Sequence, residues 1–377
     1  MKSKLPEGGT TIFTTMSALA REHNAINLSQ GFPDYDGPPQ LLKLVDQYLH
    51  DGKNQYAPMP GLPKLREAIA HKVNQSYGLQ LGADNVTITA GATQALFTFI
   101  HSIVHPGDEV IIFEPAYDSY FPSIILAGGT PVPYAMDPPD YSIDWGKVRS
   151  LVTKKTRLII INTPHNPTGS LISQDDMLEL NNLIAGRDIY LLSDEVYEHL
   201  IFDGQHHQSI LRFPELFDRG AGVYSFGKTF HTTGWKMGYI IAPGKLTEEF
   251  RKIHQWNVFC VNSFLQHALA DYLCDEDHYN YLNDFYQKKR DFLLDQVNGS
   301  RFIPLPCRGT YFQVFDYSGI SDMDDVAFAK WMTQEHGVAS IPVSVFYSYP
   351  RKDRLIRICF AKEELTIRAG ALRLKSI

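Results

Sequence analysis

Cysteine is scarce. The 377 residues hold four, Cys260, Cys274, Cys307 and Cys359, far apart and with no CxxC pair. That spacing offers neither a zinc ribbon nor a disulfide framework, and it fits reduced thiols in a cytoplasmic protein. Long hydrophobic runs are missing as well. The longest, such as LIII before Asn162, fall far short of the roughly 20 apolar residues a membrane helix needs. The opening MKSKLPEGGTT lacks the apolar core of a signal peptide. There is no basic excess: 35 Lys plus Arg against 42 Asp plus Glu leave a net charge of −7, which argues against a nucleic-acid binder. The densest basic cluster, Lys288, Lys289 and Arg290, reads as a solvated helix face. No HExxH occurs; His101 and His105 fall i,i+4 on a predicted helix and His206–His207 in a polar loop, so no metal centre is indicated. Internal repeats and low-complexity segments are absent too.

What is present is ordinary globular composition, 44% hydrophobic and 20% charged, in a chain long enough for two or three domains and a large core. Short β-branched or aromatic runs recur through the middle: VTIT (86–89), EVIIF (109–113), RLIII (157–161), IYLLS (189–193), VYSF (223–226) and GYIIA (238–242). Runs without alternation are the mark of strands buried on both faces, hence of a largely parallel sheet covered by helices. Helical patterns lie between them. Residues 62–77 put Leu62, Leu65, Ile69, Val73 and Tyr77 on one face, and TQALFTFIHSIV (93–104) opens directly after a strand and a glycine turn. The middle is therefore an α/β layer domain. A long helical stretch is predicted over about 246–297, followed by a smaller α+β part with strands in GTYFQVFD and LIRICFA. Near the N-terminus GFPDYDGPP is extended and cannot be helical. Pattern alone does not attach that segment to the C-terminal part.

One motif misleads. Gly222 to Thr229 satisfies the GxxxxGK[ST] pattern of a phosphate-binding loop. Its middle residues, VYSF, are themselves strand-like, and FHTTGWKMG after Thr229 is poor in helix formers, so the context fails on both sides. Lys228 has a better reading. It sits just past a buried strand, where open α/β sheets bind ligands, and a partly desolvated lysine there can form a Schiff base with a carbonyl. Asp194 closes the strand IYLLS; it is either a helix cap or a counter-ion for a protonated ring nitrogen. Gly91, Ala92 and Thr93 place backbone N–H groups at a helix N-terminus, which suits a phosphate. Asn162 and Asn166 lie in the stiff turn NTPHNPTG, and the Asn166 amide can donate to a phenolate oxygen. Tyr117 can stack on a flat ring or fill core. Arg357 interrupts the apolar strand LIRICF, where a charge needs a carboxylate from the protein or from a substrate.

In order and spacing, INLSQGFPDY, NQYAPMPG, TAGATQAL, EPAYDSY, NTPHNPTG, SDEVYEHL, SFGKTFHTTGWKMGY, GTYF and LIRICFAK resemble the class I/II aminotransferases of pyridoxal phosphate fold type I along nearly the whole chain. Within them the chain is most similar to the methionine aminotransferase and kynurenine–oxoglutarate (glutamine transaminase K) branch. The resemblance implies a mostly parallel seven-stranded sheet with helices on both faces in a large domain, 46–285, and a small domain from 1–45 and 286–377. It implies pyridoxal 5′-phosphate on Lys228, with Asp194 at the ring nitrogen, Asn166 and Tyr197 at the phenolic oxygen and Tyr117 on the ring face. Ala92, Thr93, Ser225 and Lys236 would hold the phosphate, and Tyr56 would reach the phosphate of a neighbouring subunit, so a homodimer follows. Lys236 stands where many relatives have arginine, a point charge in place of a fork. Arg357, Asn166 and the backbone of Gly31 would hold the substrate α-carboxylate. Phe13 and Phe259, with Tyr311 or Phe346, would shape an apolar pocket for methionine or another large apolar or aromatic amino acid, donating to a 2-oxo acid. The competing reading within pyridoxal phosphate enzymes is a cysteine-conjugate or cystathionine β-lyase, marked by pyruvate and ammonia release without a keto acid acceptor. A cofactor-binding regulator would need a fused DNA-binding module, and no residues remain for one.

Overall fold

The computed structural model describes residues 3–6 and 8–377. Met1, Lys2 and Glu7, part of the stretch expected to carry no leader, lie outside the described residues.

Seven strands form the central sheet, in the order Val86–Thr89, Gly238–Ile241, Gly220–Ser225, Tyr190–Asp194, Thr156–Asn162, Glu109–Glu114 and Thr130–Ala135. Only Gly238–Ile241 runs antiparallel to its neighbours; the other pairings are parallel. The continuous apolar runs are buried along almost their whole length, because helices cover both faces: Gly91–Ile103 and Gly244–Asn257 pack on one, Pro63–Tyr77 and Gln174–Ile184 on the other. Thr130–Ala135 was not foreseen. Pro131 and Pro133 mask its pattern, and prolines are tolerated there because the strand is the sheet edge.

The run VYSF is a strand only to Ser225; Phe226 opens the short helix Phe226–Thr229. Gly222 pairs with Ser193 and Ile241 inside the sheet, so the GxxxxGKT segment forms no phosphate-binding loop. Residues 246–297 are not one helical stretch. The helices Gly244–Asn257, Ser263–Tyr272 and Leu282–Val297 are separated by turns, and Phe259 between the first two has φ +68°. His105 also falls outside its expected helix, which stops at Ile103: Val104 is extended, and His105 precedes Pro106, which disfavours helical backbone. The basic cluster is not a solvated face either. Of the three basic residues, carried by Leu282–Val297, only Lys288 is exposed; Arg290 is buried on Asp203 with two 2.7 Å contacts, and Lys289 donates to the Lys362 carbonyl at 2.7 Å.

The C-terminal part holds an antiparallel sheet, Ile341–Pro342, Leu355–Cys359, Phe312–Asp316 and Ile303–Pro304. The N-terminal segment joins it: Ile26–Asn27 pairs in parallel with Val338–Ala339, and the helix Ile12–Glu22 packs on Asp325–His336. GFPDYDGPP is irregular up to Pro38, but its last residue, Pro39, opens a helix, because proline is tolerated in a first helical turn; the segment connects two helices, Ile12–Glu22 and Pro39–His50, that the sequence reading did not place. The boundaries expected at 45/46 and 285/286 both fall inside helices.

Candidate active site

Parallel strands deliver their carboxyl ends to one edge, and the loops beyond them carry the polar residues singled out above. Val86–Thr89 leads to Gly91–Thr93, Glu109–Glu114 to Tyr117, Thr156–Asn162 to Asn166, Tyr190–Asp194 to Asp194 and Tyr197, and Gly220–Ser225 to Lys228. The antiparallel strand Gly238–Ile241 brings its amino end, with Lys236, to the same edge. These residues, with Gly31, Phe13, Phe312 and Arg357, line one cavity of about 240 Å³.

Lys228 sits at the centre. Its Nζ donates to the Tyr311 hydroxyl at 2.8 Å and to the Gly31 carbonyl at 3.1 Å. Burial, reinforced by Arg357 and Lys236, lowers its pKa to about 8, so a sizeable neutral fraction exists near neutral pH. Asp194 is 3% exposed, and burial pushes its carboxyl up to about 6, against a 2.7 Å hydrogen bond donated by Tyr120. Asn162 fixes the local backbone: its amide donates to the Asp194 carbonyl, and its Oδ1 accepts from the Asn166 N–H, both at 2.8 Å.

Arg357 is 1% exposed, with its guanidinium 3.8 Å from the Phe312 ring centre. It donates to Asn166 Oδ1 at 2.7 Å and to the Ser29 carbonyl at 3.2 Å, while its Nε has no partner. Among the described residues no carboxylate lies within 4.0 Å of it. Burial holds its pKa down at about 10. A buried cation with an open donor is prepared for a carboxylate from outside the chain. Because Arg357 occupies Asn166 Oδ1, the Asn166 amide N–H remains for an acceptor in the cavity.

At the other end, Gly91 has φ +75°, and a Cβ there would stand 3.3 Å from Lys236 Nζ. The lysine therefore closes on the N-terminus of Gly91–Ile103, where Ala92 and Thr93 also line the cavity. A positive charge beside open N–H groups makes a cradle for a phosphate dianion. Ser225 lines the same end. Tyr117 is set by a 3.3 Å contact between its hydroxyl and that of Thr93.

Four expected residues do not line this cavity. Phe259 is 46% exposed; its turn directs the ring outward, edge-on to Tyr56 at 5.5 Å, and Tyr56 is 84% exposed. Tyr311 and Phe346 stand behind the wall: Tyr311 through its hydroxyl on Lys228, Phe346 against Phe13 with ring centres 5.9 Å apart. Residue-level reasoning missed Tyr120 and Phe312. A second buried cluster lies beyond Asp194. Glu195 accepts from Ser193, from the Ile210 N–H and from Tyr224, with His207 Nε2 at 2.9 Å, so His207 is built into the core although its segment is a loop. Among the described residues no group of three or more His, Cys, Asp or Glu could hold a metal, and no helix is long and apolar enough to cross a membrane.

A half-buried lysine of lowered pKa, a buried carboxylate and a positively charged helix N-terminus meet on one sheet edge, an arrangement that suits an enzyme working on amino groups through a carbonyl cofactor. Residues 23–372 match the family described as aminotransferase class I and II, and the chain belongs to it. It is 52% identical to the methionine aminotransferase of Escherichia coli, over 100% of this chain and 98% of that one. Identity to the rat (Rattus norvegicus) kynurenine–oxoglutarate transaminase 1 is 32%, over 97% and 95%. A solved E. coli structure identified with a methionine aminotransferase function superimposes with TM-score 0.98 at 52% identity, covering 100% of this chain and 99% of that one. The fold is that of aspartate aminotransferase, the enzyme acts as an aminotransferase on amino acids and 2-oxo acids, and its cofactor is pyridoxal 5′-phosphate. The residues present fit that group: a cradle at Gly91 and Lys236 that a side chain would fill, a carboxylate at Asp194 and a low-pKa amine at Lys228.

Proposed function

We propose that the chain moves the amino group of methionine, or of another large apolar or aromatic L-amino acid, to a 2-oxo acid. The observation that carries the reading is end-to-end 52% identity with a methionine aminotransferase. The cavity supports it. Phe13, Leu96, Val196 and Phe312 supply apolar wall, and the charged residues lining it are Asp194, Lys228, Lys236 and Arg357. No further cation among these described lining residues is left for a side-chain carboxylate.

Lys228 binds the cofactor and then moves the proton at the substrate Cα, as base and then as acid. Asp194 holds the proton on the ring nitrogen. Asn166 and Tyr197 bond the phenolic oxygen, and Tyr117 covers the ring. Ala92, Thr93, Ser225 and Lys236 hold the phosphate. Arg357, with Asn166 and the Gly31 backbone, fixes the α-carboxylate, so the Cα hydrogen is presented to Lys228. Bound in this frame, the cofactor would supply a carbonyl carbon to accept and return the amino group and a ring to withdraw electrons from the substrate carbon. Phe13 shapes the side-chain pocket. The exposed pair Tyr56 and Phe259 lies on the surface that a second copy covers, Tyr56 reaching the neighbour's phosphate and Phe259 its pocket. The working unit is thus a homodimer. Four unpaired cysteines support a cytoplasmic location. The large domain, 46–285, carries the sheet and most of the cofactor site, and the ends of the chain form the small one.

Steady-state kcat/KM across a panel of amino donors tests the assignment. Methionine or another large apolar or aromatic donor is expected to lead; aspartate as the best donor would contradict it.

A further inference from the structure

The hydroxyl of Tyr311 is assigned to no role above, yet it touches the reacting amine. Lys228 Nζ donates to it at 2.8 Å, the same hydroxyl donates to the Gly31 carbonyl at 2.6 Å, and that carbonyl accepts a second Lys228 N–H at 3.1 Å. All three groups are held. Tyr311 is fully buried, its ring edge-on to Tyr197 and tilted against Tyr286. The Gly31 backbone is pressed to Phe312, where a Cβ would come within 2.7 Å of the ring. Just before Tyr311, Thr310 has φ +68°, a conformation a β-branched residue adopts only where its surroundings impose it. Its N–H donates to the Leu200 carbonyl at 3.0 Å and its hydroxyl accepts from the Phe312 N–H at 3.1 Å. That turn sends Tyr311 to Lys228 and Phe312 under Arg357.

We propose that Tyr311 and the Gly31 carbonyl form a docking pair for the Lys228 amine whenever it is not bonded to the cofactor, and that this pair aims its proton-transfer valence into the cavity. The chemistry follows from counting valences. A neutral amine has two N–H bonds and one lone pair; an ammonium has three N–H bonds. Two acceptors hold two N–H bonds in both states. The remaining position, lone pair or third N–H, is left for the cavity that Lys228 lines. The lone pair takes the proton from the substrate carbon, and the N–H so formed returns it, without any rearrangement of the two held bonds. Tyr311 is on this account a positioning residue for the reacting amine. The inference rests on the reading of Lys228 given under the proposed function.

Tyr311→Phe keeps the ring and its packing and removes only the hydroxyl. The variant is expected to bind pyridoxal phosphate with the parent's visible band and to keep the parent's KM. Its kcat should fall about ten-fold, the size of one hydrogen bond at a reacting group. The isotope effect with Cα-deuterated donor should rise, because proton transfer becomes the slower step. The pH midpoint at which cofactor-free protein captures pyridoxal phosphate should move down, since an acceptor for the ammonium is gone. The charges facing the amine, Arg357, Lys236 and Asp194 with the Cys359 thiol, are unaltered by the variant. An unchanged kcat, isotope effect and midpoint overturns the proposal. So does a fall in kcat with neither of the other two moving, which marks lost packing. The parent's own visible band and turnover test Lys228 separately, so failure at Tyr311 leaves that reading standing.

Discussion

Lys72 is a sharp test of how the site is braced. It is 4% exposed on the helix Pro63–Tyr77, with Nζ 2.5 Å from Glu198 Oε1 and 3.3 Å from the Tyr239 hydroxyl. Glu198 belongs to the DEVYEHL loop that carries Asp194 and Tyr197, and it also accepts from Tyr239 at 3.2 Å and Tyr77 at 3.4 Å. Burial pushes the Glu198 carboxyl up, but Lys72 beside it outweighs burial and holds it below the usual carboxylate range. His199, 3.5 Å away, is neutral in the parent, where burial, then Lys72, lower its pKa to about 3; burial, the larger cause, still opposes its charge once Lys72 is gone. Lys72→Met therefore strands a buried carboxylate among neutral groups, at a cost of about 3–5 kcal/mol. Lys72→Met/Glu198→Gln removes the charge while leaving an acceptor for the tyrosines, and most of that loss should return. In the parent the pair stabilises the fold above the ordinary glutamate range and is lost as pH falls through the depressed value. In Lys72→Met burial alone raises Glu198, so the gap between the two proteins should narrow as the solution is acidified. Urea midpoints of the cofactor-loaded proteins at neutral and mildly acidic pH measure this. A single variant as stable as the parent, or a double variant no better than the single, would refute the reasoning.

Two further outcomes are expected at the site. Cofactor-free protein should bind pyridoxal phosphate more weakly as pH falls through about 6, because a protonated Asp194 no longer pairs with the charged ring nitrogen. Asp194→Asn should flatten that dependence and lower kcat by about 100-fold or more, the value of a buried charge pair; a binding titration and steady-state rates check both. Arg357→Lys keeps the charge but loses the fork that reaches Asn166 and Ser29, so KM for the amino donor should rise roughly 30-fold or more with the visible band intact. An unchanged KM would remove Arg357 from the carboxylate site.

The sequence displays what burial on both faces imposes. The runs at 86–89, 109–113, 157–161 and 189–193 are legible because a doubly covered strand has no polar side to interrupt it. Lys228, Asp194 and Asn166 are legible for a related reason, since polar residues just past such runs lie where parallel strands end. Pro131 and Pro133 hide an edge strand that needs no N–H on its open side. Helical periodicity carries on past Asn257, and nothing in the residue types signals the left-handed turn at Phe259. Lys236 comes from the amino end of the one antiparallel strand, which strand-end logic cannot find; only resemblance marked it. Tyr120 and Tyr311 are two of 20 tyrosines, and what distinguishes them is a partner 74 or 83 residues away in the chain.

The proposed hold of Lys228 on pyridoxal phosphate and the proposed transfer from a large apolar amino acid share one optical signature, which makes the pairing directly testable. An absorbance spectrum of the purified protein, recorded before and after L-methionine, tests it most directly. A visible band from the lysine-bound cofactor is expected, giving way to near-ultraviolet absorbance on methionine and returning when a 2-oxo acid is added. No visible band after incubation with pyridoxal phosphate, or a parental band retained in Lys228→Ala, would contradict it.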